Sequence, residues 1–153
     1  MLLVALLTGC GGGHSSADSG PTTTLLTADR WTPPAATGPP STAKFCTLLV
    51  ADYQHLASLA AAPKLKVRQE IITDYVDFAP TVIAFAPPTI AVAAKLYLDS
   101  IATVLRNLNA VGLDAQKLRT GAGISLLLDP NVRTAGDAVL NFSAQYCHYD
   151  IGS

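Results

Sequence analysis

The chain has 153 residues, of which half are hydrophobic and 14% are charged, and its formal net charge is −1. This composition is enough for one buried core and excludes intrinsic disorder for the part after about Ser41. A nearly neutral chain with 7% aromatic residues lacks the basic field and the stacking surfaces that bind nucleic acid, so we expect no nucleic acid partner.

The chain opens with an apolar run that stops at a cysteine. Residues 2–7 are all hydrophobic, but a spanning helix needs roughly 20 such residues. The run fits the apolar part of an export signal, which is commonly about 7–15 residues long. The stretch LTGC, ending at Cys10, resembles the bacterial lipobox, in which the cysteine thiol receives a diacylglyceryl group. The resemblance implies a signal peptide over residues 1–9 and an acylated amino terminus at Cys10.

An acylated Cys10 would place the protein outside the cell, anchored to the outer face of the cell membrane by lipid. Two or three acyl chains hold a protein far more firmly than a single myristoyl chain. Because no Lys or Arg precedes Arg30, the positive start of an export signal is missing, and we expect the true translation start to lie upstream. The alternative is a chance apolar start beside a cysteine.

Residues 10–40 are predicted to form a disordered tether. The segment is rich first in glycine and serine, then in threonine, and ends with proline pairs at 33–34 and 39–40. Such a composition stays extended or flexible and would hold the domain clear of the membrane or wall. Trp31, the only tryptophan, is interpreted as an unpacked linker aromatic, with a membrane-surface contact as the alternative.

The first half of the domain predicts two amphipathic helices. Ser41 is a plausible N-cap, and from Cys46 onward apolar residues recur at three- and four-residue steps until a boundary near Pro63. A second helix follows that boundary. Pro80 interrupts it, because proline lacks the amide donor and clashes with the preceding turn, so we expect a kink or break near Phe78.

The second half predicts a third helix over residues 90–108, the cleanest apolar stripe in the chain. Residues 124–128 form a short buried helix or turn. Asp129 and Pro130 suit the N-cap and the first position of a last helix that runs to Cys147.

Two cysteines remain once Cys10 is assigned to lipid. An exported protein meets an oxidising compartment, so Cys46 and Cys147 are expected to form a disulfide. The loop of about 100 residues would contribute about 4.7 kcal/mol in chain-entropy terms. The alternative is metal or redox use, but His55 stands alone and His148 has no second close partner. We therefore predict no metal ion and no cofactor.

No segment of useful length alternates apolar and polar residues as a half-buried strand does. The sequence therefore predicts an all-α domain over residues 41–150. Its expected architecture is an antiparallel bundle of four main helices plus a short fifth element, closed by one disulfide.

This arrangement resembles a loose group of small secreted and lipid-anchored proteins of actinobacteria, in which a first-helix cysteine is matched by one in the last helix. The usual glycine after the last cysteine is replaced here by His148. The resemblance supports the fold and implies no activity. The residues that carry it are Phe45-Cys46, Ala61-Ala62-Pro63, Asp129-Pro130-Asn131-Val132, and Ala135-Gly136 leading to Cys147.

No catalytic residue is predicted. Ser125 is the strongest candidate for a hydrolase nucleophile, but the chain lacks the G-x-S-x-G motif in which such a serine lies. Asp74 and Asp77 are interpreted as part of the solvated side of the second helix. Asp52 and His55, three residues apart, are interpreted as a surface hydrogen-bonded pair without a nucleophile to serve.

Three functions remain open. The first is a non-enzymatic module of the cell envelope, tied to the membrane through acylated Cys10, that binds an envelope protein or a wall component. The second is a carrier or sensor of a hydrophobic, lipid-like ligand held between the helices, with Tyr75, Phe85 and Tyr97 as candidate contacts. The third is an enzyme whose site forms from scattered residues.

Overall fold

The computed structural model describes residues 31–119 and 123–149. All regular structure in these two ranges is helical, and no strand occurs in them. The predictions for the export signal, for Cys10 and for the tether up to residue 30 lie outside the described residues.

Six α-helices lie in the described ranges, and the all-α prediction is confirmed. A 3₁₀ turn (Ser58–Ala60) extends the first helix, and a π turn (Ser143–Cys147) extends the last. The predicted short element at residues 124–128 is a helix, but its side chains are half-buried or exposed and not buried as predicted. A further short helix precedes it. The helices are α1 (Thr42–Ala57), α2 (Leu65–Ala84), α3 (Ala91–Ala110), α4 (Ala115–Arg119), α5 (Gly123–Leu128) and α6 (Pro130–Phe142).

Two of the helix starts follow their sequence signals. The backbone amide of Lys44 donates to the hydroxyl oxygen of Ser41 at 3.2 Å, which caps α1. The backbone amide of Asn131 donates to the carboxylate of Asp129 at 2.7 Å, and Pro130 takes the first position of α6. Both side chains satisfy amides that have no partner within the helix, so both predicted starts are confirmed.

Helix α2 continues through Pro80. A break near Phe78, one of the two outcomes predicted for this proline, does not occur. Phe78 and Ala79 are buried before Pro80 and Val82 is buried after it, so both halves of the helix are fixed on the core. Pro80 itself is exposed, and its ring therefore displaces no core side chain.

The four long helices form a ring. Helix α2 packs against α1 and α3, α3 packs against α6, and the π turn after α6 packs against α1. Helices α1 and α3 therefore lie diagonally across the bundle, and α5 packs on the outside against α3 and α6.

The core consists of two clusters, and Tyr97 of α3 packs against both. The first core cluster contains Phe45, Leu48, Leu49, Tyr53, Phe78, Val82, Ala86, Ile90, Ala94, Leu98, Val139 and Phe142. The second core cluster contains Leu59, Ala62, Ile71, Ile72, Tyr75, Ala79, Ile101, Ala102 and Leu105.

A disulfide joins Cys46 of α1 to Cys147 at the end of the π turn, with the Cα atoms 5.1 Å apart. The predicted pairing is confirmed. Beside it the rings of Phe45 and Phe142 meet edge to face at 5.7 Å, so covalent and aromatic contacts close the ring of helices at one place.

Replacing both Cys46 and Cys147 by serine is expected to lower the free energy of unfolding by about 4 kcal/mol, because the loop between them is no longer closed in the unfolded chain. Urea unfolding followed by circular dichroism measures the loss. Adding reductant to the wild type should reproduce it, and an unchanged stability in both experiments would contradict the prediction.

His148 follows the disulfide with φ of 52°, in the left-handed region. A side chain costs roughly 1–2 kcal/mol there and glycine avoids this cost. We expect His148→Gly to raise the free energy of unfolding by about 1 kcal/mol in the same urea assay. A matched Tyr149→Gly change should bring no such gain, and a destabilised His148→Gly protein would refute the strain argument.

Candidate functional sites

Residues 31–40, here called the strap, pack on the bundle. The ring of Trp31 stacks on the imidazole of His55, with centroids 4.1 Å apart and planes within 9°. It also meets Phe78 edge to face at 5.3 Å. The interpretation of Trp31 as an unpacked linker aromatic is therefore wrong, because these two ring contacts draw the indole out of water.

A second contact holds the strap further along. The ammonium of Lys44 in α1 donates to the backbone carbonyl of Ala35, and Ala36 packs against the first core cluster. The packed part of the chain therefore starts well before the boundary predicted at residue 41.

His55 pairs with a helix other than its own. Its Nε2 lies 3.1 Å from Oδ2 of Asp74 in α2, and the two side chains are 10% and 21% exposed. The predicted surface pair of Asp52 and His55 is wrong, because Asp52 is buried in the core. The prediction of a solvated face holds for Asp77, which is exposed, and fails for Asp74.

Asp52 is the most unusual side chain of the core. It has no exposed surface, and neither carboxyl oxygen has a hydrogen-bond partner. Burial raises the pKa of this carboxyl from 3.8 to about 8, because a charge in a low-dielectric interior is poorly solvated. At neutral pH Asp52 is therefore mainly a neutral acid.

Three tyrosines form a connected group with Asp52: Tyr53 of α1 and Tyr75 of α2 lie near its carboxyl, and Tyr97 of α3 lies near these two phenols. Together with Asp52 they are called the acid–tyrosine cluster. The rings of Tyr53 and Tyr75 meet edge to face at 6.4 Å. Their hydroxyls make no hydrogen bond of normal geometry, although the hydroxyl of Tyr97 is near enough to raise the pKa of Tyr53.

The acid–tyrosine cluster is uncharged at neutral pH. Burial is the main cause that raises the pKa of all three phenols, and Asp52 raises the pKa of Tyr53 and Tyr75 further. Asp137 of α6 raises the pKa of Tyr97, whereas a contact with Tyr53 lowers it. The hydroxyls of Tyr53 and Tyr75 and both carboxyl oxygens of Asp52 have no hydrogen-bond partner, so a charge on any of these groups would be poorly solvated.

The candidate ligand contacts fall in different places. Tyr75 has no exposed surface and Tyr97 is partly buried, and both join the acid–tyrosine cluster. Phe85 follows α2 and packs against the first core cluster. Ser125 lies exposed on α5. Asp52 was predicted to lie on the surface, although its position four residues after Leu48 and three after Leu49 places it on the buried stripe of α1.

Two open grooves indent the surface. The α3–α5 groove measures about 460 Å³ and is lined by Val92, Lys95, Leu96, Asp99, Ser100, Thr103 and Leu126. The second groove, about 370 Å³, runs over the disulfide and is lined by Pro34, Cys46, Thr47, Val50, Ala51, Gln54 and Cys147. None of Tyr75, Phe85 and Tyr97 lines either groove.

Residues 31–119 and 123–149 contain neither a candidate metal site nor a helix suited to span a membrane. No group of three or more His, Cys, Asp or Glu side chains is placed to hold a metal ion there. No helix in these ranges combines the length and the apolar character needed to cross a membrane.

Comparisons of the chain with protein-family models, with curated proteins and with solved structures give no match.

Gly136 of α6 is expected to position Tyr97. A Cβ at Gly136 would lie 2.8 Å from Cε2 of Tyr97, so Gly136→Ala should push the ring into its neighbours. Overpacking of this kind costs about 1–3 kcal/mol and outweighs the helical preference of alanine, which is about 1 kcal/mol.

Urea unfolding of a double-mutant cycle checks this prediction. In a Tyr97→Ala background the ring is gone, and Gly136→Ala should then be neutral or stabilising. Equal effects of Gly136→Ala in both backgrounds would show that Tyr97 is not the group displaced.

Proposed function

We propose that the chain is a lipid-anchored protein of the cell envelope that binds an apolar helical segment of a partner protein in the α3–α5 groove and catalyses no reaction. Two features support the exported location. The lipobox-like stretch ends at Cys10, and the disulfide between Cys46 and Cys147 suits an oxidising compartment.

The exposure of aliphatic side chains along the α3–α5 groove carries the proposal. Val92 is 83% exposed and Leu96, one turn further along α3, is 39% exposed. Leu126 of α5 lines the same groove, and Leu128 is 67% exposed at the end of that helix. Apolar side chains that stay exposed around one groove are a feature of interaction sites.

The polar groups that line the groove are already satisfied. Lys95 Nζ donates to the carboxylate of Asp99 at 2.7 Å. The Ser100 hydroxyl donates to the Leu96 carbonyl at 2.6 Å, and the Thr103 hydroxyl donates to the Asp99 carbonyl at 2.8 Å. The groove therefore presents little unpaired charge or polarity and favours a partner face that is itself apolar and uncharged.

The shape of the α3–α5 groove favours a protein segment over a lipid chain. Small-molecule sites enclose most of their ligand, whereas this groove is open along one side. A helix that lays one apolar stripe into the groove covers the open side with its own polar face. Val92 and Leu96, spaced four residues apart on α3, present a ridge at the spacing that such a helix matches.

The test places a photo-crosslinking residue at Leu96 in the full-length acylated protein in cells, with the same residue at exposed Glu70 of α2 as the control. The expected result is a protein adduct from position 96 that is missing from position 70. The adduct identifies the partner segment, which is then prepared as a peptide.

Val92→Asp should weaken binding of that peptide at least tenfold, which corresponds to about 1.4 kcal/mol. The fold should survive, because Val92 is exposed in the first turn of α3, where a carboxylate is favourable. Leu65→Asp changes an exposed leucine outside the groove and should leave the affinity unchanged. Equal losses in the two variants, or a lipid adduct from position 96, would contradict the proposal.

A further inference from the structure

The buried carboxyl and the strap are attached to the same part of α1. Asp52 lies in the core one turn before His55, and His55 carries the stacked ring of Trp31. Any displacement of this part of α1 away from α2 therefore also disturbs the seat of the strap.

We propose that Asp52 is a proton-controlled latch for the strap. While its carboxyl is protonated, the C-terminal half of α1 stays against α2 and holds Trp31. When the carboxyl loses its proton, this half of α1 moves toward solvent and the strap is released.

The groups that face Asp52 provide no compensation for a negative charge. They are the phenols of Tyr53 on α1 and Tyr75 on α2. Tyr97 on α3 lies beside these two phenols, and Asp137 on α6 adds a further acid near Tyr97. The 3₁₀ turn after α1 contains no ionisable side chain, and Tyr146 on the π turn is exposed. A carboxylate here would have neither an opposite charge nor a hydrogen bond.

The imidazole of His55 does not fill this gap. Its Nε2 is turned toward Asp74 of α2, at 3.1 Å, rather than toward Asp52. Trp31 stacks on the His55 ring, so Asp52 and Trp31 are linked through the backbone of α1 that carries both Asp52 and His55.

The direction of the pH response follows from the two states of Asp52. In the latched state its pKa is about 8, whereas a solvated aspartate titrates near its ordinary value of 3.8. The latched state therefore keeps the proton at pH values at which the released state loses it. The preference for the latched state is full below about pH 4, declines as pH rises to about 8, and is constant above that.

The disulfide limits the movement to one half of α1. Cys46, near the start of the helix, is bonded to Cys147, and Phe45 packs against Phe142 beside it. The half that contains Asp52 and His55 has no covalent restraint. Release is therefore expected to be local, with the helices otherwise kept.

Trp31 reports on the strap directly, because it is the only tryptophan of the chain. The experiment uses the disulfide-bonded full chain and measures acrylamide quenching of tryptophan fluorescence from pH 5 to pH 9, with far-UV circular dichroism in parallel. The expected result is a severalfold rise in the quenching constant that levels off above about pH 8, with the helical signal unchanged.

Asp52→Asn keeps the shape of the side chain and removes its charge, so this variant should show low quenching at every pH. Asp99→Asn, a change at the exposed partner of Lys95, should behave as the wild type does. If Asp52→Asn does not fold, Asp52→Leu provides the same uncharged test with an apolar side chain of similar size.

Three results would overturn the latch. One is quenching of the wild type that does not change with pH. Another is the same pH response in Asp52→Asn, which would show that Asp52 is not the group that controls the strap. The last is a loss of helical signal in step with the fluorescence change, which would show unfolding of the bundle and not release of the strap.

Discussion

The packing of α1 against the rest of the bundle depends on an uncharged Asp52. The carboxyl occupies a core position that leucine or valine takes in most amphipathic helices, and no hydrogen bond or counter-ion offsets its burial. A pKa of about 8 against the ordinary 3.8 corresponds to roughly 6 kcal/mol at 1.36 kcal/mol per unit. A typical domain has a total stability of about 5–15 kcal/mol, so ionisation of this one group has the scale needed to displace part of a helix.

Helix α1 is held at its two ends by different means. Its first turns are fixed covalently through Cys46 and by the packing of Phe45 on Phe142. Its last turns are fixed only by non-covalent contacts, among them the stacking of Trp31 on His55. A helix restrained in this way has one rigid end and one end that opens at lower free energy, which is the arrangement from which local conformational changes arise.

Local signals along the chain predicted the features that local chemistry determines. Ser41 and Asp129 accept hydrogen bonds from amides two or three residues away, so their roles are readable from neighbouring residues. Cys46 and Cys147 were paired by elimination. The effect of Pro80 on α2 could not be predicted from neighbouring residues. Burial of Phe78 and Val82 on its two sides keeps the helix continuous, because tertiary packing overrides a helix-breaking residue.

The features that the sequence reading missed depend on distant contacts. A proline-rich composition predicts an extended segment without packing partners, and only the tertiary structure shows that Trp31 packs on His55 and Phe78. Asp52 was assigned to the surface because charged residues are rarely buried without a partner. Its spacing of four residues from Leu48 and three from Leu49 places it on the buried face of α1, and the structure shows Asp52 buried there.

The proposed binding groove and the acid–tyrosine cluster share α3. Val92 and Leu96 face the groove, whereas Tyr97, the next residue, faces the acid–tyrosine cluster and lies against Gly136 of α6. A partner seated in the groove acts on the strap only to the extent that it shifts α3 and thereby Tyr97. Such coupling is reciprocal, so a partner that changes the proton affinity of Asp52 by some factor must itself bind more tightly or more weakly by the same factor when Asp52 ionises.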